Sequence, residues 1–301
     1  MAGSEHAGFR EMQYGAVTVL AATNGGRYPF GNSLVIRGSG GSLLVDPSLS
    51  LRSPIADVDQ VLISHAHEDH VAGLHLFDVP VYAHYADVES VRSVHTMIEA
   101  YGLPREERSE FEESLASHFT VPGRPDAVGL PDGIRFDLGD RAATVIHLPG
   151  HTPGHCGVLV EPDGFFYVSD IDLTSFGPFY GDAHSSLEDF GASIERCREI
   201  DARWYGTFHQ KGVVEGRDEF LDQLSRYAAV IESREMRLLA MLDEPRSIAD
   251  IADQRLVYRA HVEAPYVTSV ERRTAQQHVA RLRDKGMVAE VEPGLFRAVS
   301  G

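Results

Sequence analysis

At 301 residues, 43% of them hydrophobic and 24% charged, the chain is large enough for two domains or for one large domain with an appendage. No apolar run approaches the roughly 20 residues that span a bilayer, and two cysteines, Cys156 and Cys197, are too few for a disulfide framework or a Cys-rich structural zinc module. The 45 acidic residues outweigh the 27 basic ones to give a net charge of −18, which repels phosphate backbones and disfavours nucleic acid as a partner. Most of that negative charge lies ahead of residue 230. Residues 1–6 lack the basic and apolar stretches of a secretory signal, so a cytoplasmic location without membrane attachment is expected.

In chain order, residues 16–20, 33–36 and 42–46 read as strands separated by glycine turns, the start of a β-meander. A further strand at 60–64 runs directly into a histidine cluster. Residues 86–120 carry a charged helical pattern, with Pro104 opening a second helix, and read as an insertion. Strands are predicted at 143–148 and 164–170, each ending in a residue type that binds metal, and helices at 187–200 and 217–242. Beyond Pro245 come a short helix at 247–253, a longer one at 268–285, and two strand-like pieces at 287–291 and 295–299 around Pro293-Gly294. That order of helices and hairpin resembles a winged-helix domain. The expected division is therefore a catalytic part at residues 1–229 and a winged-helix-like α+β part at residues 230–301.

The chemistry is concentrated in His65-Ala66-His67-Glu68-Asp69-His70, at the C-terminal end of a predicted strand. Zinc takes imidazole nitrogen and carboxylate oxygen, and the spacing lets His65 and His67 reach one ion while Asp69 and His70 turn toward another. Downstream stand Leu148-Pro149-Gly150-His151-Thr152-Pro153-Gly154-His155, the strand-end acid Asp170, and His209 in Gly206-Thr207-Phe208-His209. Together these motifs resemble the metallo-β-lactamase superfamily over about residues 14–212. The resemblance implies an α/β fold, an αββα sandwich. It also implies two Zn2+ ions, the first held by His65, His67 and His151 and the second by Asp69, His70 and His209, with Asp170 bridging. Iron or manganese, as one ion or two, is the alternative metal.

The motif departs from the family at Ser169 and Phe208, each standing where glycine is common, and Phe208 is expected to crowd or tilt His209. His155, Cys156 and Asp172 are expected to pack beside the ligands rather than coordinate. His75, His84, His95, His118, His147 and His184 lack paired spacing, and Trp204 and Tyr205 read as core. Phe176, Phe179 and Tyr180, with Tyr28 and Phe30 opposite, are the candidates for substrate walls.

The resemblance implies a hydrolase that attacks with a metal-bridging hydroxide oriented by Asp69. A small-molecule ester, thioester or lactone is the expected substrate. The alternatives are single-strand RNA or another phosphodiester, persulfide oxidation at a single iron, and a DNA-binding metabolite sensor that reads duplex with residues 268–285. The basic stretch Arg272-Arg273, Arg281, Arg283 and Lys285 reads as a solvated helix face. The C-terminal part or the helical insertion offers a surface for a homodimer.

Overall fold

The computed structural model describes residues 8–299, so the opening residues read above for a leader lie outside it. Its first sheet has seven strands in chain order: β1 (Phe9–Tyr14), β2 (Val17–Ala22), β3 (Ser33–Gly38), β4 (Gly41–Val45), β5 (Gln60–Ile63), β6 (Val81–His84) and β7 (Val128–Leu130). The first four form an antiparallel meander, and β4 to β7 run parallel. Parallel neighbours need crossovers. The turn of helix α1 (Glu68–Val71) lies in the β5–β6 crossover. The β6–β7 crossover carries α2 (Val88–Arg92), α3 (Val94–Ala100) and α4 (Arg105–His118). Residues 86–120, read from sequence as an insertion, are thus the connection that covers the outer face of this sheet. The first of the two expected helices is divided at Ser93, whose side chain caps α3 by accepting from Thr96 N–H.

The second sheet has the order β13-β12-β11-β10-β9-β8, built from β8 (Arg135–Asp137), β9 (Ala142–His147), β10 (Cys156–Glu161), β11 (Phe165–Tyr167), β12 (Trp204–Gly206) and β13 (Val213–Glu215). The period-2 alternation of strands sorts their side chains between layers. Leu43 and Val45 of β4 face the inter-sheet core with Val17, Val19, Val145, Val158 and Phe165, while Leu44 faces the helices with Val61, Val88 and Met97. Both faces are buried, so β4 reads as an unbroken apolar run. On the far side, α5 (Leu187–Glu199) and the first half of α6 (Arg217–Met241) bury Phe190, Ile194, Phe220 and Leu224 against Phe166 of β11. The layers are helix, sheet, sheet, helix, as expected.

Helix α6 continues without a break through the expected boundary at 229/230. Its first half contributes Tyr227 and Ile231 to the catalytic part, and its end contributes Leu238 to a separate cluster with Ile251, Val279, Leu282 and Phe296. That cluster joins α7 (Ile248–Asp253), α8 (Val267–Asp284) and the hairpin β14 (Val288–Glu292) and β15 (Leu295–Ala298). Among the described residues no helix is long and apolar enough to cross a membrane.

Glu235 ties the two halves of this arrangement together, meeting Lys285 Nζ at 2.7 Å and Arg281 Nε at 2.9 Å. Burial favours its neutral form, but His278, Lys285 and Arg281 outweigh that and hold the carboxyl down at about 2. A depressed carboxyl stabilises the fold above its ordinary value of 4.5 and loses that contribution as pH falls toward its folded value. Glu235→Gln is expected to flatten the acid-side loss of stability between about pH 5 and about pH 2, and to lower stability at neutral pH. Urea melts across that range read both effects.

Candidate metal centre

The seven residues read as ligands come together at one edge of the sandwich, each delivered by the segment that leaves a strand. β5 ends at Ile63 and hands over His65 and His67, and the single turn of α1 presents Asp69 and His70. β9 leads to His151, β11 to Asp170 and β12 to His209. His65 Nε2 lies 3.0 Å from His67 Nδ1, and His151 Nε2 lies 3.2 Å and 3.1 Å from these two atoms. Donors about 2.0–2.1 Å from a tetrahedral zinc are separated by roughly 3.3–3.4 Å, so the three nitrogens fit one ion. Asp69 Oδ2 and His209 Nε2, 3.1 Å apart, form a second group with His70.

Asp170 lies between the groups, with Oδ2 at 3.4 Å from His151 Nε2 and 3.8 Å from His209 Nε2, and Oδ1 at 3.1 Å from His70 Nε2. Asp69 Oδ2, His70 Nε2 and Asp170 Oδ1 are buried and make no well-aligned hydrogen bond, their polar neighbours at 3.1 Å being other members of the same cluster. Buried polar atoms left without partners are costly, and three of them converging on one space fit bound cations.

The outward nitrogens complete the test, because a ligating imidazole is normally fixed through its other nitrogen. His67 Nε2–H donates to Asp182 Oδ2 at 2.9 Å, His151 Nδ1–H to the Phe179 carbonyl at 3.0 Å, and His209 Nδ1–H to the Gly26 carbonyl at 3.0 Å. His70 Nδ1 meets Asp46 Oδ2 at 3.0 Å. Asp46 is fully buried at the end of β4, and also accepts from Ser64 N–H at 2.7 Å, Ser64 Oγ at 2.6 Å and Tyr167 OH at 2.8 Å.

The carboxylates and imidazoles of the cluster shift one another's protonation. Burial pulls His67 and His209 down, yet Asp182 for the first, and Asp170 and Asp69 for the second, raise both to about 9. Burial likewise opposes charge on His70, but Asp170 and Asp46 raise it well above the ordinary histidine range. His65 is driven well below that range, first by burial and then by His70.

The two departures from the family motif have local explanations. Phe208 meets His209 edge-on, with ring centroids 4.8 Å apart, and its buried ring stacks under His70 with centroids 3.6 Å apart and planes inclined by 24°. Gly31 makes the room, since a Cβ there would lie 2.2 Å from the Phe208 ring. Ser169 sits at a φ of +50°, a left-handed conformation that glycine adopts freely, and its Oγ lies 2.8 Å from Ser64 Oγ. The strain costs about 1 kcal/mol and the hydrogen bond contributes about the same. Ser169→Gly is therefore expected to unfold within about 0.5 kcal/mol of the parent, and Ser169→Ala to lose about 1 kcal/mol, by chemical denaturation.

The remaining expected residues divide. His155 is buried and held down at about 3, by burial first and then by His151; its neutral Nε2 accepts from Asp170 N–H at 3.2 Å, steadying the backbone of Asp170. Cys156 is core, and Asp172 accepts from Thr174 beside the site. None of the six unpaired histidines joins either donor group among the described residues, and Tyr205 is core while Trp204 is half-buried against Tyr14.

A cavity of about 320 Å³ opens in front of the metal-binding atoms. Tyr28, Phe176 and Phe179 line it as expected, whereas Tyr180 and Phe30 do not. Tyr180 is buried behind the wall, its hydroxyl 2.9 Å from both Arg234 Nη1 and His278 Nε2. Sequence reasoning missed Tyr101, Tyr227, Asp182 and Glu68 in the lining, as well as Tyr258 and Tyr266 from the C-terminal part. Glu68 accepts hydrogen bonds from the hydroxyls of Tyr28 and Tyr101. The missed Asp46 did carry a signal: like Asp170, it is an acid closing an apolar strand.

Residues 27–209 match the family model described as the metallo-beta-lactamase superfamily. The chain belongs to the metallo-beta-lactamase superfamily. It is 31% identical over 195 residues to the acyl-coenzyme A thioesterase MBLAC2 of Gallus gallus, covering 56% of this chain and 67% of that protein. It is 27% identical over 174 residues to the hydroxyacylglutathione hydrolase of Methylococcus capsulatus, covering 55% of each. A beta-lactamase domain protein from Burkholderia ambifaria shares the fold at 17% identity with a TM-score of 0.69 over 99% of both chains, so the likeness takes in the C-terminal part. As a member of this metallo-beta-lactamase superfamily the chain is a hydrolase, and its His and Asp groups are suited to divalent metal.

Proposed function

We propose that the protein uses two zinc ions to hydrolyse a small-molecule carboxylic ester, thioester or lactone. The observation that carries this is the pair of donor groups, with Asp170 between them, at the floor of an open, largely aromatic cavity. Divalent ions held there supply Lewis acidity, which lowers the pKa of a water toward about 7 and polarises an acyl carbonyl. His65, His67 and His151 hold the first position, Asp69, His70 and His209 the second, and Asp170 keeps the two in register. Asp69 also orients the attacking water, while the rings of Phe179, Tyr227 and Tyr266 limit the water that reaches the acyl group.

Several observations favour this reading over the others. A complete second donor group, with His70 and His209 both fixed from behind, exceeds the two-histidine, one-carboxylate set of a mononuclear iron oxygenase. The basic side chains of α8 are spent internally: Arg273 on the carbonyls of Tyr101, Gly102 and Gly181, Arg281 and Lys285 on Glu235, and Arg283 on Glu290. Among the described residues that leaves Arg272 without a polar partner in the stretch, a poor footing for phosphates. Cys156 and Cys197 are buried free thiols, in keeping with a reducing cytoplasm.

The test is elemental analysis of the purified protein together with turnover of thioester, lactone, aryl ester and bis-phosphodiester substrates before and after chelation. Two zincs per chain with chelator-sensitive acyl hydrolysis is the expected result. One iron per chain with oxygen consumption, or cleavage of the phosphodiester alone, would replace the proposal.

A further inference from the structure

The cavity in front of the metal centre has an unusual chemical lining. Beyond the ligands it presents five tyrosines, Tyr28, Tyr101, Tyr227, Tyr258 and Tyr266, together with Phe176 and Phe179 and the carboxyl groups of Glu68, Asp172 and Asp182. Among the described residues no lysine or arginine lines it. Two arginines lie nearby without lining it: Arg234 is buried behind the wall on the Phe176 and Pro178 carbonyls, its guanidinium 5.9 Å from the Phe176 ring centroid, and Arg273 is bonded to the carbonyls of Tyr101, Gly102 and Gly181. The rings adjoin one another, with centroids 5.7 Å apart for Phe176 and Tyr258 and 6.1 Å for Tyr258 and Tyr266. Asp182 is more than nine-tenths buried, and its Oδ1 has no hydrogen-bond partner although Oδ2 holds His67.

Such a lining suits one kind of ligand. Ring faces attract organic cations within about 6 Å, and unpaired buried carboxylate oxygen adds to that attraction. A carboxylate or phosphate on the substrate would find no side-chain cation and several carboxyl groups. We propose that this cavity binds a substrate whose non-reacting end carries an organic ammonium group, held against the rings of Tyr258 and Tyr266 with the unpartnered Asp182 Oδ1 as counter-charge. Polyanionic leaving groups are disfavoured by the same walls. Tyr258 is placed for this by the C-terminal part, since the backbone N–H groups of Leu256, Val257 and Tyr258 all donate to Glu271 of α8. The inference rests on acyl hydrolysis at the same site, so binding and turnover are tested separately.

For binding, the zinc-loaded full chain is titrated calorimetrically with choline and with 3,3-dimethyl-1-butanol, its uncharged isostere. Choline is expected to bind at least about tenfold more tightly, and Tyr258→Leu to weaken choline by about fivefold while leaving the alcohol unchanged. Equal affinity for the two probes, or equal loss of both in the variant, would overturn the cation site. For turnover, acetylthiocholine is compared with the neutral 3,3-dimethylbutyl thioacetate and the anionic S-acetyl-3-mercaptopropionate. The expected order of kcat/KM is cationic, neutral, anionic, and a faster anion would also overturn the inference. Selective choline binding with no turnover of any of the three would uphold the cation site and remove thioester hydrolysis from the proposed function.

Discussion

Asp170→Asn is expected to reduce turnover by about three orders of magnitude or more and to lower bound zinc below two per chain, with the far-UV circular dichroism unchanged. Asp170 lies between the two donor groups, its Oδ2 at 3.4 Å from His151 Nε2 and 3.8 Å from His209 Nε2, and its Oδ1 at 3.1 Å from His70 Nε2. An amide keeps the shape of the side chain but brings no charge, and one of its two atoms is a donor aimed at a cation. The fold does not depend on the carboxylate in the same way, because the backbone of Asp170 is held independently by His155 and Tyr227. Metal analysis and activity should therefore fall together while structure persists. A variant with two zincs and activity within about tenfold of the parent would remove Asp170 from the bridging role.

Asp46→Asn is expected to weaken metal binding by about 10- to 100-fold, chiefly at the position held by His70, and to destabilise the fold by about 1–3 kcal/mol. Asp46 faces four donors, namely Ser64 N–H, Ser64 Oγ, Tyr167 OH and His70 Nδ1–H. Whichever way an asparagine amide is turned, its NH2 meets at least one of those donors head-on. The backbone is not the cause, since Asp46 sits at a φ of +50°, which asparagine tolerates as well as aspartate. Competition with a chromophoric chelator gives the two zinc affinities, and denaturant unfolding of the metal-free protein gives the stability. Loss of stability with both affinities intact would show that Asp46 holds the sheets together without orienting His70.

These two residues mark the limit of what could be read in advance. Asp170 was legible because it belongs to a local pattern: an apolar strand ending in an acid, at its place in a motif series that begins with His65-Ala66-His67-Glu68-Asp69-His70. The same is true of His151 and His209. Metal-binding residue types at strand ends are declared by neighbours along the chain, so the candidate ligand set, like the sandwich, could be read from sequence. Seven strands were not read in advance: β7, β8, β12 and β13, where three residues are too few for a period to register, and β1, β6 and β10, which are four to six residues long and were missed in spite of their length.

What tertiary structure alone decided is everything that depends on contacts between distant segments. Asp182 reaches His67 across 115 positions, and the Phe208 ring finds its place under His70 only because Gly31, on another loop, has no side chain. The helical stretch at 86–120 proved to be a crossover once β6 and β7 were seen to be parallel neighbours. Helix α6 crosses the expected domain boundary because one of its ends packs with the catalytic part and the other with the C-terminal part, a division of burial that its own periodicity does not record. The aromatic wall follows the same logic. Tyr258 and Tyr266 stand far from every metal ligand in the chain, and it is the docking of α8 through Arg273 and Gln277 that carries them to the cavity. Sequence determined the candidate metal-binding groups because their signals are local; the walls of the cavity come from packing between remote segments, and only the folded chain brings them together.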